Sequence, residues 1–165
     1  MVNATLAFGR DARTTEKVVA LDLAELIRTI LDEAADTHPE LANKLDYDGP
    51  SHLTVRLRSL AIKRALTNLI GNAIKYGGAA RVRLEPPIAG VVAVAIEDEG
   101  PGIPLEELER VFEPFHRVES SRNRETGGTG LGLPIARDIV RAHGGDVSLG
   151  NRSAGGLMVR VTLPV

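Results

Sequence analysis

The segment Gly127-Gly128-Thr129-Gly130-Leu131-Gly132-Leu133-Pro134 decides how this chain is read, because it sets glycines against the start of a patterned helix. A helix N-terminus carries unpaired N–H donors and the positive end of the peptide dipole, and glycines let an anion approach those donors unobstructed. The pattern predicts a phosphate-binding loop feeding a helix over Pro134 to His143. Ile135, Ile139 and Val140 supply the apolar stripe, Pro134 occupies the first turn, and Gly144-Gly145 stops the run. A flexible linker has a similar composition but does not usually run straight into such a helix. The Gly-Lys-Ser/Thr ending of a P-loop is missing, and polar residues from Ser120 to Thr126 stand where a Rossmann motif needs a buried strand. Whatever nucleotide fold this is, it is neither of those two.

Around that segment, 165 residues of which 43% are apolar can bury one good core. A net charge of −2 without a basic run argues against nucleic acid as a partner. The absence of cysteine removes disulfides and thiolate metal sites and fits a reducing compartment. No apolar run approaches the roughly 20 residues that span a bilayer, and no signal-peptide pattern follows Met1. The expectation is a cytoplasmic domain that makes no membrane contact of its own.

Met1 to about Arg13 reads as the tail of a helix belonging to an upstream unit, with the main domain spanning 14–165. Val18 to Leu21 reads as a short strand, and Asp22 to Thr37 as an amphipathic helix opened by an aspartate cap. Further strands are expected at Lys44 to Tyr47, Leu53 to Leu57, Arg81 to Glu85, Val91 to Ile96, Asp146 to Leu149 and Met158 to Leu163. Helices are expected at Ser59 to Tyr76, Leu105 to Arg110 and Pro134 to His143. Strands that come largely as neighbouring pairs predict an α+β, two-layer sandwich, its mixed sheet covered on one face by helices.

Three further pieces carry chemistry. On the helix from Ser59, the apolar face is Ile62, Ala65, Leu66, Leu69, Ile70 and Ala73, while Asn68, Asn72, Lys75 and Tyr76 follow a separate arc at three- and four-residue spacing. Either asparagine alone reads as a solvated polar residue. Together with the lysine and tyrosine they predict a site facing the glycine loop. Next, the strand ending at Ile96 runs into Asp98, Gly100, Gly102 and Ile103. A strand-to-helix turn explains the glycines, but a carboxylate ending a buried strand can accept a hydrogen bond from the exocyclic amine of adenine. Gly100 and Gly102 would let the backbone pass close to the purine. Finally, Phe112 and Phe115, two of the chain's three phenylalanines, read as core filling, and Arg117, Arg122 and Arg124 lie in a polar segment placed to act as a lid.

In order, Asn68-Leu69-Ile70-Gly71-Asn72-Ala73-Ile74-Lys75-Tyr76, Asp98-Glu99-Gly100-Pro101-Gly102, Phe112-Glu113-Pro114-Phe115 and Gly128-Thr129-Gly130-Leu131-Gly132-Leu133 resemble the N, first G, F and second G boxes of sensor histidine kinases. These belong to the GHKL superfamily. The resemblance implies a Bergerat fold that binds ATP with Mg2+. It implies that Asp98 holds the adenine amine, Tyr76 packs on the ring, and Asn72 offers its amide oxygen to magnesium. Asn68 and Lys75 would contact phosphates or their water shell, Gly128, Gly130 and Gly132 would cradle them, and Arg122 or Arg124 would steady the γ-phosphate. Gly100, Gly102, Ile103, Phe115, Thr129, Leu131 and Leu133 complete the implied ATP contacts.

ATPases of the superfamily resemble one another in carrying a glutamate four residues before the magnesium-binding asparagine. Here that position is Asn68, and the helix from Ser59 to Tyr76 has no acidic residue. An amide cannot act as general base, so transfer to a histidine is favoured over hydrolysis. A GHKL-type ATPase and a non-catalytic ATP-sensing module are the alternatives. None of His38, His52, His116 or His143 lies in the family's phosphoacceptor pattern. The expected partner is therefore a histidine on a separate dimerisation domain of the same kinase, with a response regulator reached through the full-length protein. The chain itself is expected to be a monomer, the cytoplasmic part of a membrane-bound sensor.

Overall fold

The computed structural model describes residues 16–113 and 132–165. The elements run β1 (Val19–Asp22), α1 (Leu23–Thr37), β2 (Leu45–Asp48), β3 (Thr54–Leu57), α2 (Ser59–Gly77), β4 (Ala80–Ile88), β5 (Val91–Glu97), α3 (Gly132–Ala142), β6 (Asp146–Asn151) and β7 (Leu157–Pro164). β5, the most apolar strand, is the centre of a five-stranded sheet of order β2-β4-β5-β7-β6. β2 pairs with β4 in parallel and the remaining neighbours are antiparallel, so the sheet is mixed as expected. β1 and β3 form a separate antiparallel pair, which local patterning did not distinguish from the main sheet.

Register explains why β5 is buried along nearly its whole length. Val82, Ile96 and Val159 lie side by side, as do Leu84, Val94 and Val161, and both rows join one core with Ile62, Leu66, Leu69 and Ile70 of α2 and Ile135, Ile139 and Val140 of α3. On the opposite face the intervening residues of β5 are Ala93 and Ala95, 5% and 0% exposed. Over these small side chains Arg160 of β7 reaches Glu85 of β4 with two hydrogen bonds of 3.1 Å. That forked bond, opposed by burial, holds the Glu85 carboxyl below its ordinary range. The helices cover one face and a cross-strand ion pair covers the other.

Helix starts are capped in two ways. Asp22 caps α1 through the Glu25 N–H at 3.2 Å and also accepts from Leu53 N–H at 3.0 Å, tying β1 to the loop before β3. α2 begins at Arg58, which makes no side-chain cap. Glu16 supplies the cap from a distance: its carboxylate accepts from the N–H groups of Leu60 and Ala61 at 2.7 and 3.1 Å.

The expected helix from Leu105 to Arg110 is instead two 3-10 turns, Leu105–Glu107 and Arg110–Phe112. Its backbone bonds close over three residues, and so short a segment cannot propagate an α-helix without tertiary support. Its support comes from Arg137 of α3, whose guanidinium lies 4.2 Å from the Phe112 ring centre and 3.2 Å from Glu109. Phe112 is buried, as the core-filling reading requires. Among the described residues no helix is long and apolar enough to cross a membrane.

Candidate nucleotide site

Asp98 follows directly on the central strand, and it is the only charged residue among the described ones to be buried, at 7% exposure. Its Oδ1 accepts from the N–H of Gly100 at 2.9 Å and of Leu157 at 3.0 Å, and its own N–H donates to Leu157 O at 3.0 Å. Its carbonyl accepts from the Arg152 guanidinium. Among the described residues the second carboxylate oxygen, Oδ2, accepts no hydrogen bond. A buried acceptor without a donor costs about 1–3 kcal/mol, which a ligand carrying an N–H can recover.

The C-terminal end of α2 makes this arrangement possible. A Cβ at Gly77 would lie 2.3 Å from both Cβ and Cγ of Asp98, so only glycine lets the helix approach the carboxylate so closely. Gly78, in the left-handed region at φ 64°, is the residue that ends the helix. Tyr76 is thereby carried to the same place, its carbonyl lying where a side chain at Gly100 would stand. The space at Gly100 and at Gly102 is taken up by protein: Tyr76 and Gly77 at the first, Asn151 at the second.

Farther along α2, Asn72 meets the start of α3. A side chain at Gly132 would come within 3.3–3.5 Å of the Asn72 amide atoms, which places the end of the glycine segment against this asparagine. Asn68 and Asn72 are half-buried and Lys75 is exposed, its ammonium 5.7 Å from the Tyr76 ring centre. The helical spacing thus brings Asn72, Tyr76 and Asp98 to one side of the fold, between α2, the residues after β5 and the start of α3. Leu133 lies half-buried in the first turn of α3, and Ile103 half-buried beside Asn151. The expectations for Phe115, Arg122, Arg124, Gly128, Thr129, Gly130, Leu131 and the Met1 to Arg13 segment fall outside the described residues.

Residue patterning missed the hairpin between β6 and β7. Asn151, Arg152, Gly156 and Leu157 surround Asp98 and Ile103, although sequence separation gives no hint of the contact. His143 ties two helix ends together: its Nε2 accepts from Arg58 N–H at 3.1 Å while Nδ1 donates to Ile139 O at 2.9 Å, pinning the end of α3 to the start of α2. Asp146, beneath the same helix, is pulled well below the usual carboxylate range: burial opposes its ionisation, and bonds from Arg141, Arg137 and the Val147 N–H outweigh it.

Residues 57–165 match the family model described as histidine kinase-, DNA gyrase B- and HSP90-like ATPase. The chain belongs to this family. Within the histidine kinase-, DNA gyrase B- and HSP90-like ATPases it is an ATP-binding domain of the histidine kinase type. It is 40% identical over 165 residues to sensor histidine kinase GtrS of Pseudomonas aeruginosa, covering 99% of this chain and 33% of that protein. It superposes on the catalytic domain of histidine kinase ThkA with a TM-score of 0.75 at 27% identity, over 90% of this chain and 97% of that one. It also matches histidine kinase ThkA in complex with the response regulator protein TrrA at a TM-score of 0.72 and 27% identity, over 89% of this chain and 41% of that one. The chain spans 33% of the length of GtrS and 38% of that of sensor protein CutS of Streptomyces coelicolor. As an α+β sandwich with a mixed sheet, its fold is that of the histidine kinase catalytic domains.

Proposed function

We propose that this domain binds ATP with its base on Asp98 and passes the γ-phosphoryl group to a histidine on a separate dimerisation domain. The observation that carries the reading is the buried Asp98 carboxylate, one oxygen held by two backbone amides and the other open to a donor such as the adenine amine. Tyr76 would pack on the ring, and Asn68 and Lys75 would meet the phosphates. Gly132 would continue the cradle that Gly128 and Gly130 begin, and Arg122 or Arg124 would neutralise charge at the γ-phosphate.

Asn72 suits a magnesium ion. Its amide oxygen is a hard, neutral donor on α2 beside Gly132 at the start of α3. That fits an ion which keeps few protein ligands and shares its coordination with phosphate and water. Bound there, it would offset charge on the phosphate oxygens.

Transfer breaks the bond from the γ-phosphorus to the β–γ bridging oxygen and forms a phosphorus–nitrogen bond to imidazole, leaving ADP. The absence of an acid anywhere on α2 supports transfer over hydrolysis, since water needs a base that a neutral imidazole nucleophile does not. Two of the described histidines are already engaged: His143 is committed to two backbone groups and His52 lies 2.7 Å from Asp22. A response regulator would take the phosphoryl group onward through the full-length protein, which we read as a sensor whose kinase part is cytoplasmic. The domain boundary near residue 14 and a monomeric state belong to the same reading.

The test is transfer in trans. The chain is mixed with a purified histidine-bearing hairpin domain of a sensor kinase and ATP labelled at the γ-position, with magnesium present. Label is expected on the hairpin. Nucleotide binding without transfer points to a sensing module, and release of labelled phosphate without the hairpin points to a hydrolase.

A further inference from the structure

Resting on the reading of Asp98 as the base-recognising group, we infer that Asn151 is a positioning residue that sets the preference for adenine. The Asn151 amide makes two bonds to one residue of the loop after β5: its Oδ1 accepts from Ile103 N–H at 2.8 Å and its Nδ2 donates to Ile103 O at 2.7 Å. A side-chain amide that takes both backbone groups of a residue acts as an added rung of the sheet. The fold leaves room for it only because Gly102 has no side chain. A Cβ there would stand 2.4 Å from Asn151 Oδ1, and φ of 75° already excludes most other residues.

This rung lies at the same level as the bonds that hold Asp98. Asn151 is the register partner of Leu157, and Leu157 exchanges bonds with Asp98 through its own N–H and carbonyl. The neighbouring Arg152 grips the Asp98 carbonyl, with Glu97 3.9 Å from its Nε. The hairpin end therefore fixes the loop at both limits, Asp98 through Arg152 and Leu157, and Ile103 through Asn151. Four residues separate Asp98 from Ile103, among them two glycines and a proline, so without the second anchor the loop has the freedom to swing Oδ2 off its line. Asn151 needs no contact with the nucleotide for this.

The experiment compares ATP with inosine triphosphate, in which an oxygen acceptor stands where adenine carries its amine. Dissociation constants for both are measured by calorimetry on the whole chain and on the variants N151A and N151D, with melting temperatures recorded alongside. N151D keeps the size of the side chain and the bond from Ile103 N–H but turns a second oxygen toward the Ile103 carbonyl. The unsubstituted chain is expected to prefer ATP by at least ~10-fold, the value of a hydrogen bond to a charged group. Both variants should lower that preference by at least ~3-fold, chiefly by weakening ATP. If the variants bind both nucleotides equally less well, or change only in melting temperature, Asn151 is merely structural and the inference fails. If the unsubstituted chain shows no preference, the reading of Asp98 fails instead.

Discussion

The proposed base end and the proposed phosphate end of the candidate site are built in opposite ways. Around Asp98, groups converge from three separate stretches: Gly77 of α2, Gly100 of the adjoining loop, and Arg152 and Leu157 of the β6–β7 hairpin. At the other end Asn68, Asn72 and Lys75 ride on one helix, and among the described residues neither asparagine makes a side-chain hydrogen bond. The first arrangement aims one atom and tolerates little change. On the proposed reading, the second leaves polar groups free to follow phosphate, metal and water. The base end should therefore fail sharply when altered, and the phosphate end by degrees.

The largest effect is expected at Asp98. Asp98→Asn keeps an oxygen for the Gly100 and Leu157 amides but turns a donor toward the adenine amine, so ATP affinity measured by calorimetry should fall ~100-fold, the upper range for a hydrogen bond to a charged group. Asn68→Ala should cost no more than ~10-fold in affinity, as removal of one neutral hydrogen bond does. Equal losses would erase the distinction between the ends.

Gly77→Ala comes next. Its Cβ would overlap Asp98, and denaturant unfolding should show a loss of about 1–3 kcal/mol from overpacking, with ATP binding impaired as well. Gly71→Ala, on the exposed side of the same helix with nothing within 4 Å of its Cβ, should instead stabilise by up to about 1 kcal/mol. A smaller effect belongs to Glu16→Ala, which uncaps α2 and should cost about 1 kcal/mol of unfolding free energy.

A separate effect is a dependence on pH remote from the site. The Leu53 N–H, then His52, against the opposing effect of burial, lower the Asp22 carboxyl from 3.8 to about 2. Because the folded value is the lower one, the stabilisation is fully present above pH 3.8 and fades as pH falls toward about 2. Chemical denaturation across that window should show a smaller loss in Asp22→Ala than in the unsubstituted chain, the remainder coming from Asp146 and Glu85.

Much of this could be read from residue order. Asn68, Asn72 and Tyr76 stand out because helical spacing separates them from the apolar stripe, and Asp98 because it ends the most apolar strand. Gly77 had a signal that went unread. One glycine is enough to end a helix, and Gly78 does so, which leaves Gly77 inside the last turn at a cost of about 1 kcal/mol with no local reason. Asn151, Arg152 and Leu157 had none, since their bonds to the Asp98 loop span 48, 54 and 59 residues.

The helix faces, the caps at Asp22 and Gly78, and the succession of motifs follow from interactions within a few residues, where backbone geometry imposes a period that apolar and polar side chains must match. The order of strands, the 3-10 turns before Phe112, the capping of α2 by Glu16 and the bracing of Asp98 depend on which distant segments share the core. Burial rewards area without regard to position along the chain, so those choices are made only when the whole domain packs.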